Sequence, residues 1–158
     1  MKQALILITI ACMLQACTRN KVQPFNTTAA ITGTGVLPFD LLDANLITSG
    51  INASTQRMHT LYGNEIALQH ARTATYPGGA VLVEVTWKQQ ADPVWFGGNI
   101  PGSPESVEVV QFINDGNNKT EAHYHYYAGN PLKEQTANIP SAAARIAAIT
   151  GERIAVMP

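Results

Sequence analysis

The sequence predicts an α+β domain in which an antiparallel sheet packs against helices. Three observations carry this expectation. Residues 80–87, AVLVEVTW, alternate with a period of two, placing Val81, Val83, Val85 and Trp87 on one face and Leu82, Glu84 and Thr86 on the other. Two further strand-like runs, VEVVQFI and TEAHYHYYA, are joined by NDGNN, whose Asp115-Gly116 step is a hairpin signal. The C-terminal run SAAARIAAITG then reads as a helix, which gives the order helices, strands and one last helix.

From the N-terminus, Lys2 and the apolar run ALILITIACML make a short positive region followed by a hydrophobic core of signal-peptide length, too short to span a bilayer comfortably. It leads into Leu14-Gln15-Ala16-Cys17, which resembles a bacterial lipobox, with cleavage expected before Cys17 and lipid on its sulfur. The expected organisation is a lipoprotein signal peptide over 1–16, a small and polar lipidated tether over 17–35, and one domain over 36–158. The membrane, reached through the lipid on Cys17, is the expected partner. The expected location is the bacterial cell envelope, lipid-anchored on the periplasmic or outer-membrane side. Thr18 leans it outward, because the aspartate that commonly retains lipoproteins at the inner membrane does not follow Cys17.

Within the domain, LPFDLLDANLI (residues 37–47) is read as a short helix that SGINAS breaks. Residues 55–74, TQRMHTLYGNEIALQHARTA, carry Met58, Leu61, Tyr62, Ile66 and Leu68 at partly helical spacing, with Gly63 as an interruption costing about 1 kcal/mol in a helix interior. TYPGG is a turn, and FGGNIPGSPES is read as a loop for its glycines and prolines. At the end of the chain, Ser141 suits a helix N-cap, Gly151 a C′ residue, and Ile146 with Ile149 one apolar ridge.

Composition narrows the function classes. A net charge of −1, with ten basic residues scattered along the chain, gives no footprint for nucleic acid. Of the two cysteines, Cys12 falls in the expected signal peptide and Cys17 is expected to carry lipid. That leaves no disulfide, thiolate metal site or catalytic thiol. No phosphate loop, nucleophile elbow or Ser/His/Asp set is present, and the acidic residues read as spread singly along the sequence.

Two histidines two apart, His123 and His125, share a strand face and stand about 7 Å apart along it, a spacing that zinc or copper sites use when other ligands converge. Glu121 has the same parity, and aromatic packing among Tyr124, Tyr126 and Tyr127 explains the strand equally well. His59 and His70, eleven apart, would stand about 16 Å apart on a continuous helix and cannot share a metal. No metal site is assigned. Trp95 and Phe96 lie in a glycine-flanked loop, where they cap a pocket, pad an interface or plug the core.

RMHTLYGNEIALQHAR, YPGGAVLVEVTW and VEVVQFI together resemble the cytochrome P460 family, which includes the beta-type cytochromes c′. The resemblance implies a small periplasmic α+β domain, often a homodimer, with c-type haem between helix and sheet and activity toward hydroxylamine or nitric oxide. It implies haem attachment near the C-terminus by Cys-x-x-Cys-His, where this chain has Ser141, Ala144 and Arg145. Hydroxyl and methyl groups form no thioether, and a guanidinium has no lone pair for iron. The Gly-Trp-Gly-like pocket residues implied by the family are replaced by residues 122–126, and the strand position offered for its haem-linked lysine carries Glu84.

The expectation is therefore a lipoprotein with a P460-like domain that has lost covalent haem and serves as a binding or structural module, with no catalytic residue assigned. The alternative is a non-covalent haem or metal protein acting on small nitrogen species, with His123 or His125 as ligand and Arg57 meeting a haem propionate.

Overall fold

The computed structural model describes residues 26–29, 31, 44–117 and 119–154. The expected signal peptide, Cys17 and most of the expected helix over 37–47 lie outside the described residues. Among the described residues six strands follow one another as a meander, each paired antiparallel with the next in sequence: β1 (Asn45–Asn52), β2 (Arg57–Gly63), β3 (Val81–Ala91), β4 (Asn99–Asn114), β5 (Thr120–Ala128) and the short β6 (Lys133–Glu134). Helix α1 (Glu65–His70) interrupts between β2 and β3, and α2 (Ala142–Gly151) closes the described chain. The α+β expectation holds: one antiparallel sheet, with helices on one of its faces. No helix among the described residues is long and apolar enough to cross a membrane.

The alternation in β3 sorts two cores. Leu82 faces a cluster with Ile47, Leu61, Val110, the α1 residues Ala67 and Leu68, and the α2 residues Ile146 and Ile149. Val83, Val85 and Trp87 face the opposite way, into a cluster with Val107, Val109, Tyr127 and Leu132. The stretch expected to be a tether contributes Ala29 and Ile31 to this second core. Both faces of β3 and β4 are thus covered, and their apolar runs are nearly continuous.

Several elements differ from the sequence reading. Asn45 to Ile47 open a strand rather than close a helix, and SGINAS carries that strand on to Asn52 before turning. Residues 57–63 form β2, and only Glu65–His70 is helical. β2 sends Leu61 into the helix-side core and Met58 and Tyr62 toward the opposite one, so both its faces bury side chains, and apolar residues at 58, 61 and 62 mimic helical spacing. The expected loop after Phe96 is the first half of β4. Its Pro101 and Pro104 sit where the pairing with β3 slips register around Trp87 and before β5 begins to pair at Ser106, the bulge and edge positions at which a strand tolerates proline.

At the helix ends, Ser141 occupies the N-cap of α2 but makes no side-chain capping bond, and Gly151 is the last helical residue rather than a C′ stop. The hairpin at Asp115-Gly116 forms as expected, with the Asp115 carboxylate accepting from the backbone of Asn117 and Lys119 at 3.0 and 2.8 Å.

Gly63 has a packing role. A β-carbon there would stand 2.7 Å from Ile47 Cδ1 and 2.8 Å from Ala67 Cβ, so its absence lets α1 lie against the sheet. Asn64 then ties three elements, accepting from Ala67 N at 3.0 Å as the α1 cap and from Val81 N at 3.2 Å, while donating to Gly79 O at 2.8 Å. Gly63→Ala is expected to lower stability by about 1–3 kcal/mol through overpacking, read as a drop in thermal midpoint.

Candidate functional site

Glu84 of β3 and Glu108 of β4 are register partners on the helix-bearing face of the sheet, only 6% and 5% exposed. Strand pairing alone brings them together, and two buried carboxylates side by side require compensation. Arg145 supplies it from the first half of α2. Its Nε donates to Glu108 Oε2 at 2.8 Å, and Nη2 donates to Glu84 Oε1 at 2.7 Å and to Glu108 Oε1 at 3.1 Å. The planar guanidinium suits this double engagement, because its fixed fork meets carboxylate oxygens two at a time. From β5, the Tyr124 hydroxyl donates to Glu108 Oε2 at 2.7 Å.

A second layer closes the site where α2 ends. The Glu152 carboxyl lies against Glu84, and His59 Nε2 of β2 stands 3.6 Å from Glu152 Oε1. Burial pushes Glu84 up to about 7; Arg145 opposes that shift, while Glu152 and Glu108 reinforce it. Glu152 is also raised by burial, though its contact with Glu84 and the charge of Arg145 pull the other way. Glu152 Oε2 is buried with no hydrogen-bond partner among the described residues.

Burial, then the Glu108 hydrogen bond, holds the Tyr124 phenol well above its ordinary range. Tyr76 is raised by burial and by Glu152; its ring stacks on Phe112 at 5.2 Å, and its hydroxyl is buried with no partner among the described residues. Chemically, the arrangement is a charge-compensated network that binds α2 to the sheet and carries one carboxyl titrating near neutrality.

Most of the sequence-nominated residues fall elsewhere. His123 and His125 pair with Gln111 and Val109, and Val109 belongs to the core on the side away from the helices. His123 is exposed, and His125 Nδ1 meets Glu134 Oε1 at 2.7 Å. Arg57 is held by Glu105 through two 2.7 Å contacts at the surface. It lies beside a groove of about 260 Å³ formed with Gln56, Lys88 and Gln89. Ser141 and Ala144 lie at the start of α2, while Arg145 enters the network together with Glu84, the residue at the strand position that the resemblance offers for a haem-linked lysine. Among the described residues no three His, Cys, Asp or Glu side chains are grouped to hold a metal ion.

The reading of the acids as single is corrected here, since Glu84 and Glu108, far apart in sequence, meet across the ladder. One signal could have found them: each interrupts an apolar strand run, Val83-Glu84-Val85 and Val107-Glu108-Val109, where a charge needs a partner. A larger open groove, about 540 Å³, lies between Thr27, Thr28 and Ile31 and the loop bearing Leu132; Lys88 and Glu105 also line it. It takes in none of the buried network.

The family model described as cytochrome P460 matches residues 42–143, from just before β1 into the first turn of α2. No curated protein matches the chain.

Proposed function

The chain belongs to the cytochrome P460 family, and from that premise we propose a lipid-anchored cell-envelope protein whose domain works without covalently attached haem, as a binding or structural module. The single observation that supports this is Arg145, which spans Glu84 and Glu108 from the helix position where the family resemblance implies an iron-binding histidine. The residues present do not fit a covalent haem. Ser141 and Ala144 offer no thiol for a thioether, Arg145 offers iron no lone pair, and two carboxylates and a phenol occupy the sheet face beneath the helix. The anchoring half of the proposal is supported by the apolar N-terminal run and Leu14-Gln15-Ala16-Cys17.

The test is spectroscopic. The full chain, expressed in a bacterium that matures c-type cytochromes and purified in detergent, is expected to be colourless, with no Soret band and far less than one iron, copper or zinc per chain. A stoichiometric Soret band would overturn the proposal. Its loss in His123→Ala or His125→Ala would instead establish a non-covalent haem protein of the kind that acts on hydroxylamine or nitric oxide.

A further inference from the structure

The hairpin joining β3 to β4 ends in Val94-Trp95-Phe96, whose side chains are 61%, 73% and 109% exposed. The tip is held in shape by its own hydrogen bonds. Asp92 Oδ1 accepts from Val94 N and Trp95 N at 2.7 and 3.1 Å, Asp92 N donates to Gly98 O at 2.9 Å, and Gly98 N donates to Trp95 O at 2.9 Å. Gly97 takes the positive φ of 79° that this turn needs. The two aromatics are therefore presented outward on a formed turn, an arrangement that marks an interaction site.

The described N-terminal segment reaches the sheet at the same end. Asn26 Oδ1 accepts from Gln90 Nε2 at 3.2 Å, and Asn26 Nδ2 donates to the Pro101 carbonyl. Gln90 pairs with Ile100, and Ala91 with Asn99, as the last rungs before the tip. Cys17 precedes Asn26 by nine positions, a span of at most about 32 Å even when fully extended. A lipid on Cys17 thus keeps this end of the sheet within reach of the bilayer.

From these placements we infer that the Val94–Phe96 tip inserts into the interface of the bilayer that holds Cys17, a second attachment that orients the domain. The inference rests on the lipid-anchor reading. Its chemistry is interfacial: Trp and Phe favour the headgroup boundary, where an indole N–H finds acceptors and the rings leave water. Asp92 is the one ionisable residue from 92 to 98, and its carboxylate already serves the turn. The partner is therefore neutral lipid, bound without the salt dependence of a basic patch. Tethering makes insertion intramolecular, so weak intrinsic affinity suffices.

The full-length chain in vesicles of phosphatidylcholine brominated near the headgroup tests this. The chain has two tryptophans, and Trp87 is buried with its N–H on Thr60 Oγ1 at 3.1 Å. The wild type is expected to lose about half of its emission to the brominated lipid, with a blue shift unaffected by salt, while Trp95→Phe loses none. Trp95 emission open to aqueous acrylamide and untouched by bromine would overturn the inference. So would a blue shift without bromine quenching that grows with protein density, since the tips would then pair between copies.

Acyl labelling of Cys17, with Cys17→Ala as its control, separates the two readings. A labelled chain whose Trp95 escapes bromine keeps the anchor and loses the tip. An unlabelled chain refutes the anchor, and quenching on addition of vesicles then decides the tip alone.

Discussion

Replacing Arg145 with alanine is expected to destabilise the domain by about 3–5 kcal/mol at neutral pH, the largest effect of any single change considered for this chain. The arginine side chain is 30% exposed, whereas those of Glu84 and Glu108 are 8% and 7% exposed, so its removal strands two nearly buried carboxylates. Its Coulombic gain is not the main quantity, because a buried pair is worth little net of desolvation. The cost lies in leaving its partners unpaired. Chemical denaturation of the detergent-solubilised protein measures the effect. Adding Glu84→Gln and Glu108→Gln should recover much of the loss, since neutral amides need no counter-charge. If the single variant loses under 1 kcal/mol, or the triple variant is the least stable, the network does not hold α2 as described.

The second large effect concerns pH. Glu84 is raised from an ordinary 4.5 to about 7, chiefly by burial, so between those values the folded protein binds a proton that the unfolded chain has released. The unfolded state then carries fewer protons, and stability falls as pH rises. The contribution of protonated Glu84 is fully present below pH 4.5 and lost by about pH 7, a change on the order of 2–3 kcal/mol. Glu152, also raised, acts in the same sense. Glu105, lowered by its hydrogen bond from Arg57, acts oppositely, with its stability lost in acid. Denaturation midpoints should therefore decline from pH 5 to pH 7.5 in the wild type, and Glu84→Gln should flatten that decline. A wild-type profile that rises across this interval would show that Glu84 is ionised throughout.

How much of this was legible in the sequence depends on which interactions are local. The alternation in residues 80–87 names both faces of β3 correctly, because side-chain parity is a property of the strand itself. Asp115-Gly116 likewise encodes its own turn. β2 was not legible: its apolar residues answer to two neighbouring strands and two cores, so their spacing along the chain carries no clean period. β4 hid behind Pro101 and Pro104, which propensity assigns to loops and the register slip accommodates.

The family-like residues prove to build the fold. Gly63 admits α1, Asn64 caps it, and Gly79, at a φ of 90°, turns the chain into β3 while its N–H donates to Phe112 O at 2.7 Å. The candidate site is made from long-range pairs, Glu84 with Glu108 and both with Arg145, which no local pattern joins. Arg145 was singled out for the groups it lacks, and the acids that give it a role were read as isolated.

The strand carboxylates also set a condition on anyone engineering this scaffold into a pigment. Grafting cysteine, cysteine and histidine onto positions 141, 144 and 145 would supply the attachment chemistry and, in the same step, delete the one guanidinium among the described residues in contact with Glu84 and Glu108. The graft would be penalised by the sheet before any macrocycle arrived. Positions 84 and 108 would have to change with the helix, so the unit of exchange is a helix turn together with a rung of the β3–β4 ladder.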